Sequence, residues 1–439
     1  MPAKKAGREE SEQEEWEDEE DEEEEDEGDE EENEGDEEED EEEEEGEQAG
    51  REDADMGVQE DVLAQLLTHG APLDDLGIEF SDTEGLECLL NRLGDSDASS
   101  KPRPWDCIKS LSLSFENDCQ VGEPNVLKSL LLRLPKTITS FELHLPDSYT
   151  LPIDEPMFLQ PMLQFPQIFA EKLTAFSISC DWGVQHMFGL LEHCANLEVL
   201  TLDFISMDDQ WTAEQYIEAV SHLPQVKLPN LHTLRLRQSP PEIISALGTL
   251  QAPVLVNLDF EFADEGGIGL GDDLLTFLTT ESNCAPLNSL RLTGVKLDAY
   301  EFCETLDELP ALTRLVLDGI SFDEDDLLQS LDERCKPFDF SHNGSAALRR
   351  PPFLPNLEVL ELIGFVGEKN FHHLVGFISS REQLFRKWFG SDGRLKALTV
   401  AYDKDSSPLD LDSRERRDLK RRCMFLNVFP WSASLNMWH

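Results

Sequence analysis

The phrase L-N-S-L-R-L at residues 287–292 returns as L-T-R-L-V-L at 312–317. Each copy is an apolar residue, two variable ones, an apolar residue, one variable and an apolar residue. Working outward toward the amino terminus, the same phrase reads L-V-N-L-D-F from Leu255, L-H-T-L-R-L from Leu231 and L-E-V-L-T-L from Leu197. It continues as L-T-A-F-S-I from Leu173, I-T-S-F-E-L from Ile138 and I-K-S-L-S-L from Ile108. Toward the carboxyl terminus it reads L-E-V-L-E-L from Leu357 and L-K-A-L-T-V from Leu395. The last two apolar positions alternate with period two, as on a strand with one buried face, and the first sits on the turn before it. A single such unit cannot bury its apolar face alone. Stacked copies can, so the repeat predicts a solenoid that presents a surface rather than a pocket.

Successive phrases begin 30, 35, 24, 34, 24, 32, 25, 45 and 38 residues apart. Intervals near 24 fit a leucine-rich repeat of one strand and one short helix, and the longer ones admit a fuller helix or a loop. The expected fold class is therefore α/β: an irregular leucine-rich-repeat solenoid, a curved parallel sheet with outer helices. Expected helices include Val126–Leu134, Val184–Cys194, Ala213–Leu223, Pro241–Leu250, Asp272–Thr280, Ala299–Leu309 and Asp323–Leu331. Asp272, Asp298 and Asp323 stand where an N-cap side chain accepts from free amides. Many leucine-rich repeats carry Asn three residues after the last strand leucine. Here that slot holds Ile205, Val295, Ile320 and Phe365. Without an asparagine ladder there, the turns are expected to be held by apolar packing.

Charge divides the 439-residue chain. Its net charge is -59, and residues 9–47 hold 32 of the 94 acidic side chains and no basic one. Such a segment has no apolar face whose burial could offset ordering entropy, so 1–50 reads as a disordered acidic tail. Residues 51–104 read as an N-terminal helical cap and linker. Two short helices are expected there, on either side of a Pro72–Phe80 loop, with a linker from Ser96 to Pro104. The solenoid is expected over 105–400, and 401–439 as a basic segment and C-terminal cap. Acidity on both sides of residue 50 argues against nucleic acid as a partner, because phosphate affinity rests on Lys and Arg. No apolar run is long enough for a membrane span. Nine cysteines without C-x-x-C spacing point to a reducing compartment, cytoplasmic or nuclear.

Parallel strands in register set equivalent positions side by side, about 4.8 Å apart. The middle variable residues then share the concave face: Ser112, Glu142, Ser177, Thr201, Arg235, Asp259, Arg291, Val316, Glu361 and Thr399. Arg235, Asp259 and Arg291 form an alternating-sign row, flanked by Asp203, Arg237, Glu261, Arg314 and Asp318. One reading is a solvated ion-pair ladder that recognises nothing. The other is a docking strip for a protein partner, in which Arg235, Arg237, Asp259, Arg291, Arg314 and Glu361 are the candidate residues. Arg414, Arg416, Arg417, Lys420, Arg421 and Arg422 form the one dense basic cluster. They read as a charged helix face, a nuclear-import signal or a group screened by the acidic tail. The tail itself reads as a solubilising bristle or a ligand for basic proteins such as histones. Gly266–Gly271 reads as a repeat turn, lacking the continuation of a phosphate loop. No nucleophile elbow, metal-ligand spacing or cofactor motif occurs, so neither an enzyme nor a cofactor is expected.

The strings L-R-L-T-G-V (290–295) and L-V-L-D-G-I (315–320), with L-P-N-L at 228–231 and 354–357, resemble the leucine-rich region of fungal, basidiomycete-type F-box proteins. The resemblance covers about 105–400. It implies repeats that hold a substrate for an SCF ubiquitin ligase, whose Skp-type adaptor binds an N-terminal F-box. Residues 50–104 contain no L-P-x-E-apolar opening, and S-P-P-E-I-I-S-A-L from Ser239 lies between two repeat strands, where it reads as a repeat helix. A second resemblance is to acidic leucine-rich nuclear phosphoproteins, which join repeats to an Asp/Glu tail and bind histones, though with the tail at the other end.

Overall fold

The structure is a computed structural model that describes residues 61–94, 102–115, 124–145, 165–180, 184–204, 220, 223–240, 243–263, 274–278, 286–322, 327–336, 353–365, 371–390, 393–403 and 413–431. All lie in one compact unit, Asp55–His439. The acidic segment, the Gly266–Gly271 turn, the caps Asp272 and Asp323 and nearly all of the expected 213–223 helix lie outside the described residues.

The strands are β1 (Asp75–Phe80), β2 (Ser110–Phe115), β3 (Ser140–His144), β4 (Ala175–Ser179), β5 (Val199–Asp203), β6 (Val226–Lys227), β7 (Thr233–Ser239) and β8 (Leu250–Gln251). They continue with β9 (Asn257–Phe262), β10 (Ser289–Thr293), β11 (Lys296–Leu297), β12 (Arg314–Asp318), β13 (Ser321–Phe322), β14 (Val359–Phe365), β15 (Leu395–Asp403) and β16 (Cys423–Trp431). Twelve of them form one sheet in the order β1-β2-β3-β4-β5-β7-β9-β10-β12-β14-β15-β16. Each neighbouring pair is parallel. Order along the sheet thus follows order along the chain, the topology of a solenoid. The pairs β6–β8 and β11–β13 make two small extra ladders.

Helices connect the strands: α1 (61–69), α2 (Thr83–Leu93), α3 (Pro124–Leu131), α4 (Gln167–Ala170), α5 (Val184–Leu191), α6 (Ile243–Leu247), α7 (Ala299–Asp307), α8 (Leu327–Cys335), α9 (Phe371–Phe389) and α10 (Ser413–Arg422). The Asp298 carboxylate accepts from the Glu301 amide at 2.8 Å, capping α7 as its position predicted. Asp82 caps α2 in the same way, accepting from Gly85 at 2.9 Å.

All three apolar positions of all ten phrases point inward, and none is more than 3% exposed. Burying each such side chain contributes roughly 1.5–3 kcal/mol before entropy is subtracted. Phe141, Phe165, Phe169 and Phe176 enlarge this core with edge-to-face rings 5.0–5.9 Å apart.

Four expectations are corrected. The Pro72–Phe80 loop is largely strand: Asp75–Phe80 pairs in register with β2, burying Phe80 against Phe115. The 401–439 cap is in part more sheet, because β15 runs to Asp403 and β16 adds a twelfth strand. The sheet therefore exceeds 105–400 at both ends. The carboxyl end of the Ser96–Pro104 linker is tied down, since Arg103 donates to Leu93 O and makes two bonds to the Asp106 carboxylate at 3.0 Å. That guanidinium holds the Asp106 carboxyl below its usual range.

The fourth correction concerns the turns. A ladder of side-chain donors does exist, but one residue before the first apolar position of the phrase. Asn196, Asn230 and Asn356 donate to the carbonyls of Glu171, Ala195 and Pro310, at 2.7, 3.2 and 2.9 Å. Lys172 donates to Lys136 O at 3.1 Å, and Thr137 to Asp106 O at 3.0 Å. Every acceptor lies two residues before the first apolar position of the preceding repeat's phrase. Val295 and Ile320, in the expected asparagine slot, are buried as anticipated. Gly294 ends β10 with φ +71°, and a Cβ there would lie 3.0 Å from Phe262 O. Only glycine fits that turn without strain.

Candidate partner-binding surface

The face of the sheet opposite the apolar core is built entirely by strand register. Its central column runs Gly77, Ser112, Glu142, Ser177, Thr201, Arg235, Asp259, Arg291, Val316, Glu361, Thr399 and Asn427, each opposite the next. The register read from the repeat phrases holds across ten consecutive strands. The first and last of these residues lie on strands that carry no full phrase.

The charged middle of this face makes most of its close pairs diagonally rather than along the row. Arg237, from the adjacent column, donates to Asp259 Oδ2 at 2.9 Å and Glu261 Oε2 at 2.7 Å. Arg291 donates to Asp318 at 3.0 Å and lies 3.9 Å from Asp259. Arg314 donates to Glu361 at 2.9 Å. One arginine reaching two carboxylates gains more than one pair would, which explains why the row is skipped. Arg235 is exposed and has no ion pair among the described residues. Three of the six candidate residues, Arg237, Asp259 and Arg291, thus share one half-buried network with Glu261 and Asp318, while Arg314 and Glu361 form a separate pair at its edge and Arg235 stands outside both.

Either side of the network, the face changes character. From β2 to β5 most of its residues are small hydroxyls or aliphatics: Ser112, Ser114, Ser140, Ala175, Ser177 and Thr201 among them. From β14 to β16 it turns apolar, with Val359, Ile363, Ala397 and Ala401 leading to the exposed rings of Phe425 and Phe429.

Burial pushes the Asp203 carboxyl up from its usual value, against the opposing bond from Ser179. Burial likewise raises Asp318, against the pull of Arg291. A carboxyl whose pKa is raised on folding adds stability at low pH. That contribution is lost as pH rises through the folded pKa, so at neutral pH the Asp203 charge is a burden. Asp203→Asn keeps an acceptor for Ser179 and removes the charge. It should raise Tm by about 1–2 °C at pH 7 and leave Tm unchanged near pH 3, as followed by circular dichroism.

The basic cluster divides in two. Arg422 is turned inward, with Nη1 2.5 Å from the buried Glu382 carboxylate and Nε 3.2 Å from Asp418. Glu382 also accepts from Arg386 at 2.6 Å and has Arg394 at 3.9 Å. Arg422 is therefore a tether between α10 and α9, corrected from its place in the exposed set. Leu419 is fully buried beside it. Arg414, Arg416, Arg417, Lys420 and Arg421 are exposed, and the last turn of α10 carries cations where the helix dipole favours them.

No family model matches the chain, and no curated protein matches it. Solved structures similar to it include a Bacteroides fragilis protein, 15% identical with TM-score 0.28, matched over 59% of this chain and 66% of that one. A chain of the yeast Rad7–Elc1 complex is 16% identical with TM-score 0.27, over 74% of this chain and 91% of that one. A chain of the TLR13–ssRNA13 complex is 15% identical with TM-score 0.31, over 77% and 52%. The solenoid assignment rests on the strand order and register above. Among the described residues no group of His, Cys, Asp and Glu is arranged to hold a metal, and no helix is long and apolar enough to cross a membrane.

Proposed function

We propose that this chain is a non-catalytic protein-binding module whose concave sheet face holds the partner, as the substrate-recognition repeats of F-box proteins do for a ubiquitin ligase. The observation that carries the reading is the single parallel sheet from β1 to β16, whose central column stays aligned from Gly77 to Asn427. It lines up polar, charged and apolar side chains on one continuous surface instead of around a cavity. Surfaces of this kind recognise other macromolecules by shape and by a few central anchors, among which arginine is favoured. A second reading is favoured by the 32 acidic residues of segment 9–47. In it the acidic segment captures histones or other basic proteins in the nucleus, and the repeats are a scaffold.

Affinity purification of the full chain at two salt concentrations separates these readings. It is run beside a variant carrying Arg235→Ala, Arg291→Ala and Arg314→Ala, and beside a chain lacking residues 1–50. Partners lost with the three arginines and kept without residues 1–50 are the expected result. A Skp-type adaptor and cullin among them would support the ligase role. Partners indifferent to the arginines, but lost with residues 1–50 and at high salt, would make the acidic segment the functional end.

A further inference from the structure

On the hydroxyl-rich side of the charged network, one carboxylate has been left without its cation. Asp203 closes β5 on the face opposite the apolar core, with Ser179 of β4 and Arg237 of β7 as its register partners. Arg237 is the natural counter-ion, yet its guanidinium turns the other way, onto Asp259 and Glu261 of the next strand. Two carboxylates there outcompete one. Arg291 and Arg314 are likewise taken, by Asp318 and Glu361. Asp203 has no ion pair among the described residues. Among the described residues the one hydrogen bond to its carboxylate comes from the buried hydroxyl of Ser179, at 3.3 Å. The carboxylate is half-buried, where an unneutralised charge is more costly than at the surface.

The β4 and β5 positions around it carry short side chains, between His144 of β3 and Arg235 of β7. Ser177 and Thr201 lie in the central column beside it, and Ala175 and Val199 in the column beyond. No long side chain of β4 or β5 covers this stretch of the face. From β7 onward, by contrast, arginines and carboxylates lie across the sheet.

We propose that this recess receives a lysine or arginine side chain of a basic protein partner, with Asp203 as the acceptor and the Ser177, Ser179 and Thr201 hydroxyls around it. The inference rests on the concave-face reading above and adds the chemistry of the partner. The charge of the chain agrees with it. The chain carries -59 overall, and 62 acidic against 32 basic residues beyond position 50, so a basic partner is drawn toward the sheet from a distance. An incoming ammonium or guanidinium supplies the ion pair that Arg237 withholds. It also brings the Asp203 carboxyl back toward its ordinary value, from the raised one that burial imposes.

Carboxyl footprinting of the full chain tests this site directly, because it reads each acid separately and so separates Asp203 from the acidic segment. Carbodiimide and glycine ethyl ester label accessible carboxylates, mapped by mass spectrometry, with and without a capped decalysine peptide as the cationic probe. Labelling of Asp203 should fall about three-fold or more with the probe, while Asp318, already held by Arg291, stays unchanged. Thr201→Lys, which places an ammonium of the protein's own in the recess, should lower Asp203 labelling without the probe and abolish the response to it. An Asp203 that takes no label in the free chain, or whose labelling the probe leaves unchanged while residues 9–47 are protected, overturns the proposal. In either case, partners that depend on Arg235, Arg291 and Arg314 would leave the concave-face reading standing and remove only its cation site.

Discussion

Arg381→Met should destabilise the C-terminal third of the solenoid by about 3–5 kcal/mol. Arg381 lies on α9 and is 3% exposed, yet among the described residues no carboxylate pairs with it. Its guanidinium instead donates to three main-chain carbonyls: Gly393, Leu354 at 3.3 Å and Leu357 at 2.7 Å. It also stacks on the Phe385 ring, 4.5 Å from the centroid. Those carbonyls belong to the turn before β14 and the turn before β15, so a single side chain joins α9 to two successive strands. Burial lowers the arginine's pKa to about 10, and it therefore stays charged at neutral pH. Methionine fills similar volume but takes this donor from all three carbonyls; Leu354 O keeps the Leu357 amide, whereas a buried acceptor left without a donor costs more than the bond contributes. Lysine, a point donor on a single nitrogen, cannot span the carbonyls of two turns and should recover little. Urea unfolding gives the loss as a lower midpoint, and limited proteolysis should show cleavage near residues 354–357 and 393 appearing first. If Arg381 served only as filler, the methionine variant would unfold at the wild-type midpoint.

The parts of this fold that repeat were legible, and the parts that occur once were not. Thirty apolar positions were assigned by one phrase, because burial on a period-two strand leaves no other place for Leu, Ile and Phe. The same phrase set the register of the central column correctly, since parallel register follows from it. The strands β1 and β16 escaped because neither carries the full phrase. D-L-G-I-E-F begins two residues after a proline segment and has glycine on the polar face. C-M-F-L-N-V-F-P-W has apolar residues on both faces. The ladder of Thr137, Lys172, Asn196, Asn230 and Asn356 escaped for a different reason. Its slot holds three residue types, and their common property, a donor that reaches a carbonyl in the preceding repeat, shows only when the repeats are stacked. The ion pairs were placed on the right face with the wrong partners. Register decides which side chains are near, but the competition among Asp203, Asp259 and Glu261 for Arg237 is decided by geometry across strands.

Gly393→Ala should be about as damaging as the loss of Arg381, at about 2–5 kcal/mol, and for a connected reason. Gly393 takes φ +54° in the turn that leads into β15, a left-handed conformation that costs alanine about 1–2 kcal/mol. A Cβ there would also fall within the Phe385 side chain, onto its Cβ and ring carbons. Phe385 is 8% exposed and lies beneath the Arg381 guanidinium, so the ring cannot retreat without disturbing the bonds to Leu354 and Leu357. The Gly393 carbonyl is itself one of the Arg381 acceptors. Glycine, ring and arginine therefore share one fit. The two substitutions should be non-additive, with the double variant losing less than the sum by about 0.5–3 kcal/mol. Denaturant melts of wild type, both single variants and the double variant give that coupling. Additive losses would mean that the turn before β15 and the arginine on α9 are held independently.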